Sequence, residues 1–151
     1  MLTLSTFDFL KFFMLKGTIK NKPLIYSCSG CSSAAQMANY IALQFDRKEI
    51  AEMSCIAGVG GNVKKLVKTA QSGRKIIVID GCSLSCSKAC LDNHNLSPDI
   101  HFELSRFNVR KEQHKDFSME QAELVMRQLE NQIAANNNSC PGADSSSVSI
   151  C

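Results

Sequence analysis

The sequence predicts an α/β fold: a small three-layer domain with a mostly parallel sheet of about four strands and helices on both faces. Two patterns indicate this fold. Short apolar segments alternate with amphipathic helical segments along the chain, the order typical of parallel sheets. Residues 76–79 are apolar and β-branched at every position, as in a strand that helices bury on both faces. The length of 151 residues suits one such domain.

The first predicted strand and helix flank a pair of cysteines. Residues 23–27 are predicted to form a strand, and Cys28-Ser-Gly-Cys31 forms the turn that follows it. Residues 32–45 show helical periodicity with one apolar face. That face consists of Ala34, Ala35, Ala38, Ile41, Ala42 and Phe45. A helix that begins directly after two thiols stabilises thiolates through its free N–H groups.

The second unit is shorter and richer in glycine. A weak strand is predicted within residues 49–55 and ends at Cys55. The glycine-rich residues 57–61 are expected to form a flexible turn. Asn62 is expected to cap the N-terminus of a helix over residues 63–71.

Two further units complete the predicted domain. After the buried strand, a turn leads into a helix that is predicted to end near Asn93. A fourth strand is predicted over residues 100–104, where polar and apolar residues are mixed. Ser118 and Gln121 have the spacing of a capping box for a last helix over residues 119–134.

Two terminal segments flank the predicted domain, which spans residues 23–135. Residues 1–22 form an N-terminal extension, whose apolar stretch is too short to span a bilayer and lacks the cleavage site of a signal peptide. Residues 136–151 are rich in Asn and Ser and are expected to be a disordered tail, because they cannot bury enough apolar surface to fold.

The composition excludes some functions and favours others. With 44% hydrophobic and 21% charged residues, the chain is ordinary for a globular domain. The net charge is +3 without a basic run interleaved with aromatics, so nucleic-acid binding is not expected. No membrane span is expected, and no feature identifies a protein partner. The 8 cysteines lie beside strong strand and helix patterns, which favours reduced thiols in the cytoplasm over a secreted disulfide scaffold.

The predicted topology brings the thiol-bearing loops together. Right-handed crossovers, with a reversal of direction after the second unit, place the first and third strands side by side. The carboxyl ends of parallel strands meet at one edge of the sheet, where open α/β sheets bind their ligands. We therefore expect six thiols that follow the first three strands to cluster there. They are Cys28, Cys31, Cys55, Cys82, Cys86 and Cys90.

The spacing of these thiols predicts a metal site. Four thiolates from two loops match the ligand set of a closed tetrahedral Zn²⁺ site. They are Cys28, Cys31, Cys82 and Cys86. Cys55 is an alternative ligand, and Cys90, deeper in its predicted helix, is either another alternative or a small core residue. An iron–sulfur cluster is an alternative occupant, although the spacing matches neither common ferredoxin pattern.

An enzymatic hypothesis uses the same turn. In a thiol–disulfide or persulfide-handling oxidoreductase, Cys28 would attack and Cys31 would resolve the intermediate, which requires a depressed pKa at Cys28. Asp80 ends the buried strand and has four candidate roles, namely capping the next helix as its N-cap, pairing with Lys88, orienting a cysteine ligand and hydrogen-bonding a bound group. The sequence identifies no other catalytic residue.

Three segments follow the first three predicted strands or lie at their ends. They are Ser27-Cys-Ser-Gly-Cys31, Glu52-Met-Ser-Cys-Ile-Ala-Gly-Val-Gly-Gly61 and Asp80-Gly-Cys-Ser-Leu-Ser-Cys-Ser-Lys-Ala-Cys90. Together they resemble the DGC-domain family. Their order makes the resemblance specific, and it extends over residues 23–132. The family takes its name from the triplet matched here by Asp80, Gly81 and Cys82. The resemblance implies a small cytoplasmic domain of bacterial type, without a settled activity, whose cysteines are thought to bind zinc.

Overall fold

The computed structural model describes residues 22–138. Its strands are β1 (Leu24–Ser27), β2 (Glu52–Met53), β3 (Ile76–Asp80) and β4 (Ile100–Glu103). Its helices are α1 (Ser33–Arg47), α2 (Ile56–Gly60), α3 (Lys64–Ala70), α4 (Cys86–Asp92) and α5 (Met119–Asn138), and a 3-10 helix follows β4 over Leu104–Phe107. The predicted terminal segments, residues 1–22 and 136–151, lie almost wholly outside the described residues. No helix within residues 22–138 is both long and apolar enough to cross a membrane.

The sheet confirms the predicted α/β class. Its four strands run parallel in the order β2-β1-β3-β4, so β1 and β3 are neighbours in the centre, as predicted. The register pairs Leu24 with Ile76 and Ser27 with Ile79, so both strands end at the same edge. The turns that follow them therefore begin side by side.

Helices cover both faces of the sheet. Alternate residues of β1 and β3 point to opposite faces, so Ile25 and Ile77 enter one core while Tyr26 and Val78 enter the other. Side chains of α1 and α5 fill the first core, and side chains of α2, α3 and α4 fill the second. This is the three-layer arrangement that the sequence predicted.

Residues 56–60 are helical, so the predicted flexible turn is wrong. The helix fits because its glycines lack a side chain: a Cβ on Gly58 would lie 2.0 Å from Leu66 Cδ1 of α3. The prediction that Asn62 caps the next helix is also wrong. Asn62 has a left-handed backbone with φ of 59°, and Val63 occupies the cap position without a side-chain hydrogen bond. Asparagine tolerates this backbone conformation better than most residues.

The last helix begins where predicted and continues past the predicted residue 134 to Asn138. Ser118 Oγ accepts a hydrogen bond from Gln121 N at 3.2 Å, which is half of the predicted capping box. The Gln121 side chain donates to Asn108 O at 3.2 Å instead of returning to the cap residue. The predicted inward stripe is buried. It consists of Ala122, Val125, Met126 and Leu129.

Candidate thiol site

Two hydrogen bonds join the turns after β1 and β3. Cys28 N donates to Ile79 O at 3.1 Å, which extends the pairing of the two strands by one residue. Gly81 N donates to the Cys28 sulfur at 3.1 Å. Cys28 is 8% exposed, so this second bond is buried between the turns. The two cysteine-bearing turns are therefore in direct contact.

A cavity of about 160 Å³, which we call the thiol pocket, lies at this contact. Four of the six predicted site cysteines line it. They are Cys28 and Cys31 from the turn after β1, and Cys82 and Cys86 from the turn after β3. Cys31 and Cys86 are exposed and Cys82 is half-buried, so three of the four thiols are accessible from solvent.

Burial raises the pKa of the Cys28 thiol to about 11. The hydrogen bond from Gly81 N lowers this pKa, whereas the negative charges of Asp80, Cys86 and Cys82 raise it further. The oxidoreductase hypothesis requires a depressed pKa at Cys28, and that prediction is wrong. At neutral pH Cys28 is a protonated thiol, which loses its proton only to a strong competitor such as a metal ion.

The other two predicted thiols lie outside the pocket. Cys55 is exposed at the start of α2. Cys90 packs against the end of α2, where a Cβ on Gly60 would lie 2.8 Å from the Cys90 sulfur. Burial raises the pKa of the Cys90 thiol. Cys90 is half-buried and belongs to neither hydrophobic core, so it contacts α2 outside the thiol pocket.

Asp80 is fully buried and holds the start of α4. Its carboxylate accepts hydrogen bonds from Ser87 N at 2.9 Å and from Lys88 N at 3.3 Å, two free N–H groups of the first helical turn. His101 Nε2 of β4 lies 3.0 Å from the same carboxylate. The expectation that Asp80 is the N-cap residue of this helix is wrong, because Ser85 occupies that position. Asp80 caps the first helical turn from the end of β3 instead. The alternative pairing with the Lys88 ammonium is wrong, because that group lies 2.7 Å from Asp92.

A polar segment, residues 110–113, which we call the strap, forms one wall of the pocket. Its backbone pairs with the start of α1: Ser33 N donates to Glu112 O at 2.9 Å, and Glu112 N donates to Ser33 Oγ at 3.0 Å. The Cys31 thiol donates to Gln113 Oε1 at 3.3 Å. The strap therefore contacts both the backbone and a thiol of the first cysteine-bearing turn.

Sequence analysis missed three side chains of this site. Lys111 lines the pocket, Gln113 accepts a hydrogen bond from one thiol, and His101 contacts Asp80. The strap is polar and lacks the periodicity by which elements are recognised in a sequence. His101 could have been predicted near the site from the topology, because β4 is parallel to β3 and ends at the same edge of the sheet.

Comparison with known proteins assigns the chain to a family. The family model described as "DGC domain" matches residues 24–129, more than half of the chain. The chain belongs to the DGC domain family. A curated relative from Pseudomonas aeruginosa, the "Anaerobic and virulence modulator AnvM", is 50% identical over 108 residues, which cover 72% of this chain and 82% of that protein. No solved structure matches the chain.

Each residue of the DGC triplet has a distinct structural role. Asp80 caps α4, and Cys82 lines the thiol pocket. Gly81 permits a close approach to α1: a Cβ on Gly81 would lie 2.6 Å from the carbonyl carbon of Ala34 and 2.8 Å from Ala35 N. Glycine therefore allows the turn after β3 to pack directly on the first turn of α1, next to the other two pocket cysteines.

The four pocket thiols of the DGC domain share a cavity but are not assembled as a metal site. Within residues 22–138, no group of three or more His, Cys, Asp or Glu side chains is arranged to hold a metal ion. The chemistry of the donor set matches zinc, because the pocket lining includes four cysteines and no carboxylate.

Proposed function

We propose that this DGC domain binds Zn²⁺ through Cys28, Cys31, Cys82 and Cys86, and that metal occupancy modulates a cellular response. The observation that carries the proposal is the thiol pocket, in which four thiols from two separate turns share one cavity of about 160 Å³. Four thiolates form the closed tetrahedral shell of structural zinc sites. Bound zinc would supply a cross-link between the turns after β1 and β3.

We infer that metal binding is coupled to a local rearrangement of the turn between Cys82 and Cys86. The turn between Cys82 and Cys86 contains Ser85 in a left-handed conformation with φ of 48°. Leu84 in the same turn is 67% exposed, so its side chain contributes little packing that would hold the turn in place. A site that assembles on binding adds its binding free energy to the stability of the fold.

The proposed modulatory role rests on the name of the curated relative, and the proposed location rests on the state of the cysteines. The relative from Pseudomonas aeruginosa is named as a modulator, and we extend that kind of role to this chain by analogy. The six cysteines within the described residues are free thiols. Because reducing compartments keep thiols in this state, we place the function in the cytoplasm.

Metal content and thermal stability of the full chain test the proposal, after purification under anaerobic and reducing conditions. We expect about one equivalent of zinc per chain and a Tm that falls by roughly 5 °C or more when a chelator removes it. The C31S and C82S variants should each lose zinc and the chelator-dependent change in Tm.

The matched control is C55S, because Cys55 is an exposed thiol outside the pocket. This variant should keep both the zinc and the change in Tm. A wild-type chain that is purified without metal, and whose Tm does not respond to added zinc, would overturn the proposal.

The same preparation tests the alternatives. An iron–sulfur cluster would bring iron and sulfide in place of zinc, together with visible absorption. The three-residue interval between Cys82 and Cys86 matches neither common ferredoxin spacing, which favours zinc. The burial and the raised pKa of Cys28 argue against an oxidoreductase in which Cys28 is the attacking thiolate.

A further inference from the structure

The thiol pocket is lined by one basic side chain, that of Lys111. Lys111 is exposed and forms no ion pair within residues 22–138. Lys115, further along the same loop, differs in this respect, because its ammonium lies 2.8 Å from the Glu112 carboxylate. No Asp or Glu side chain lines the pocket. A small molecule that enters the pocket therefore contacts thiols and a positive charge.

The backbone that carries Lys111 is fixed against the rest of the site. Glu112 exchanges two hydrogen bonds with Ser33, at 2.9 Å and 3.0 Å. Gln113 accepts the hydrogen bond from the Cys31 thiol at 3.3 Å. The ammonium group is mobile on its four-carbon stem, but the stem starts from a fixed wall of the pocket, close in the chain to the residue that contacts Cys31.

Asp80 is the carboxylate that opposes this charge. It raises the pKa of the Cys28 thiol, so its field reaches the buried end of the site. It is fully buried, its oxygens are already bonded to the start of α4 and to His101, and it does not line the pocket. At the exposed thiols, the charge that an incoming molecule contacts is therefore that of Lys111.

We propose that the thiol pocket has a second class of ligand, small disulfides that carry carboxylates, and that Lys111 recognises their negative charge. Cys31 is the thiol that reacts, because it is exposed and lies against the wall that carries Lys111. The proposal concerns the metal-free pocket and does not rest on zinc binding.

The reaction is a thiol–disulfide exchange. The Cys31 thiolate attacks one sulfur of the small disulfide, a new S–S bond forms to Cys31, and the original S–S bond breaks. The other half departs as a thiolate with the electron pair and takes up a proton, while the proton of Cys31 passes to solvent. The Cys31 sulfur is oxidised, the departing sulfur is reduced, and the product is a mixed disulfide at Cys31.

Initial rates with two disulfide probes test the proposal on the full chain, with a chelator present throughout. Dithiodiglycolate carries two carboxylates, and 2-hydroxyethyl disulfide is neutral. The loss of free thiol is followed by peptide-resolved mass spectrometry at Cys31 and, as an internal control, at Cys55. The charged-to-neutral rate ratio at Cys31 is divided by the same ratio at Cys55. Dividing by the Cys55 ratio removes the difference in intrinsic reactivity between the two probes. The thiolate fraction of a cysteine affects its rates with both probes equally, so it does not affect the charged-to-neutral ratio.

We expect a normalised ratio of about five in the wild type, about one in K111Q and below one in K111E, since one nearby unit charge acts on the anionic probe. K111R should keep the wild-type ratio, and about 0.5 M salt should lower it. K64Q is the matched control, because it removes the same charge from an exposed residue of α3 outside the pocket.

A wild-type ratio near one, or a ratio that K111Q leaves unchanged while circular dichroism shows a folded chain, would overturn the proposal. Because the chelator is present throughout, a chain that binds no zinc can still give the expected ratio. A chain that binds zinc can equally fail to give it, so the two proposals are tested separately.

Discussion

The Gly81 amide donates a hydrogen bond to the Cys28 sulfur at 3.1 Å, and this bond joins the two turns that form the thiol pocket. Gly81 also packs directly on the backbone of Ala34, where a side chain would not fit. The two turns start from neighbouring central strands, β1 and β3, so the sheet fixes the starting point of both. The pocket thus depends on a backbone contact as much as on its cysteines.

We expect Gly81→Ala to lower the free energy of unfolding by about 2–3 kcal/mol, because the new Cβ would overlap backbone atoms of Ala34 that cannot move aside. Urea unfolding followed by circular dichroism measures this change. Gly30→Ala is the matched control, since its Cβ would lie 3.9 Å from the nearest atom, Ala35 Cβ. Equal destabilisation by the two substitutions would contradict this account of Gly81.

Asp80→Asn should lower the free energy of unfolding by about 2 kcal/mol, because it replaces a buried charged acceptor at the start of α4 by a neutral one. It should also lower the pKa of the Cys28 thiol, which the charge of Asp80 raises. Urea unfolding and the pH dependence of Cys28 alkylation measure the two effects. Asp92→Asn, which removes an exposed ion pair with Lys88, should cost less than about 0.5 kcal/mol. An unchanged Cys28 pKa in Asp80→Asn would show that the carboxylate does not act on the thiol.

The stability of the metal-free chain should fall as the pH rises from 9 to 11, because the pKa of Cys28 is raised by burial from 9.0 to about 11. In this window the unfolded chain has lost the Cys28 proton and the folded chain retains it. The free energy of unfolding therefore falls by about 2–3 kcal/mol between pH 9 and pH 11.

Unfolding in urea at several pH values, compared between the wild type and Cys28→Ala, isolates this contribution. The pKa of Tyr26 is also raised by burial, but Tyr26 is present in both proteins and cancels in the comparison. If the free energy of unfolding changed with pH equally in the two proteins, the raised pKa of Cys28 would be ruled out.

Gly60→Ala should destabilise the wild type by about 1–2 kcal/mol, because the added Cβ would lie 2.8 Å from the Cys90 sulfur. In a Cys90→Ala background the same substitution should be neutral or stabilising, since alanine favours a helix over glycine by up to about 1 kcal/mol. A double-mutant cycle in urea measures this coupling. Additive effects would show that Cys90 does not pack against α2 as described.

The parts of the fold that the sequence predicted are those that depend on local pattern and chain handedness. Residues 76–79 form a buried strand because each side chain is apolar and β-branched. The adjacency of β1 and β3 follows from the crossover rule and from the reversal after the second unit, and it is the reason that four cysteines meet at one edge.

The parts that the sequence did not predict depend on packing between distant segments. Glycine disfavours helices, so residues 57–61 resemble a turn in isolation. Residues 57–60 are helical in the structure, and Gly58 and Gly60 allow α3 and α4 to approach this helix closely. The burial of Cys28, which reverses the expected direction of its pKa, likewise results from its packing in the hydrophobic core and not from the cysteine motif.

The strap also determines when the thiol pocket can be completed. The hydrogen bond between Cys31 and Gln113 joins residues 82 positions apart in the chain. Synthesis proceeds from the N-terminus, so Cys28 and Cys31 leave the ribosome before the strap has been made. During that interval the nascent chain presents these thiols without the wall that carries Lys111. A disulfide that arrives during translation therefore meets these two thiols without the positive charge that lines the pocket of the finished protein.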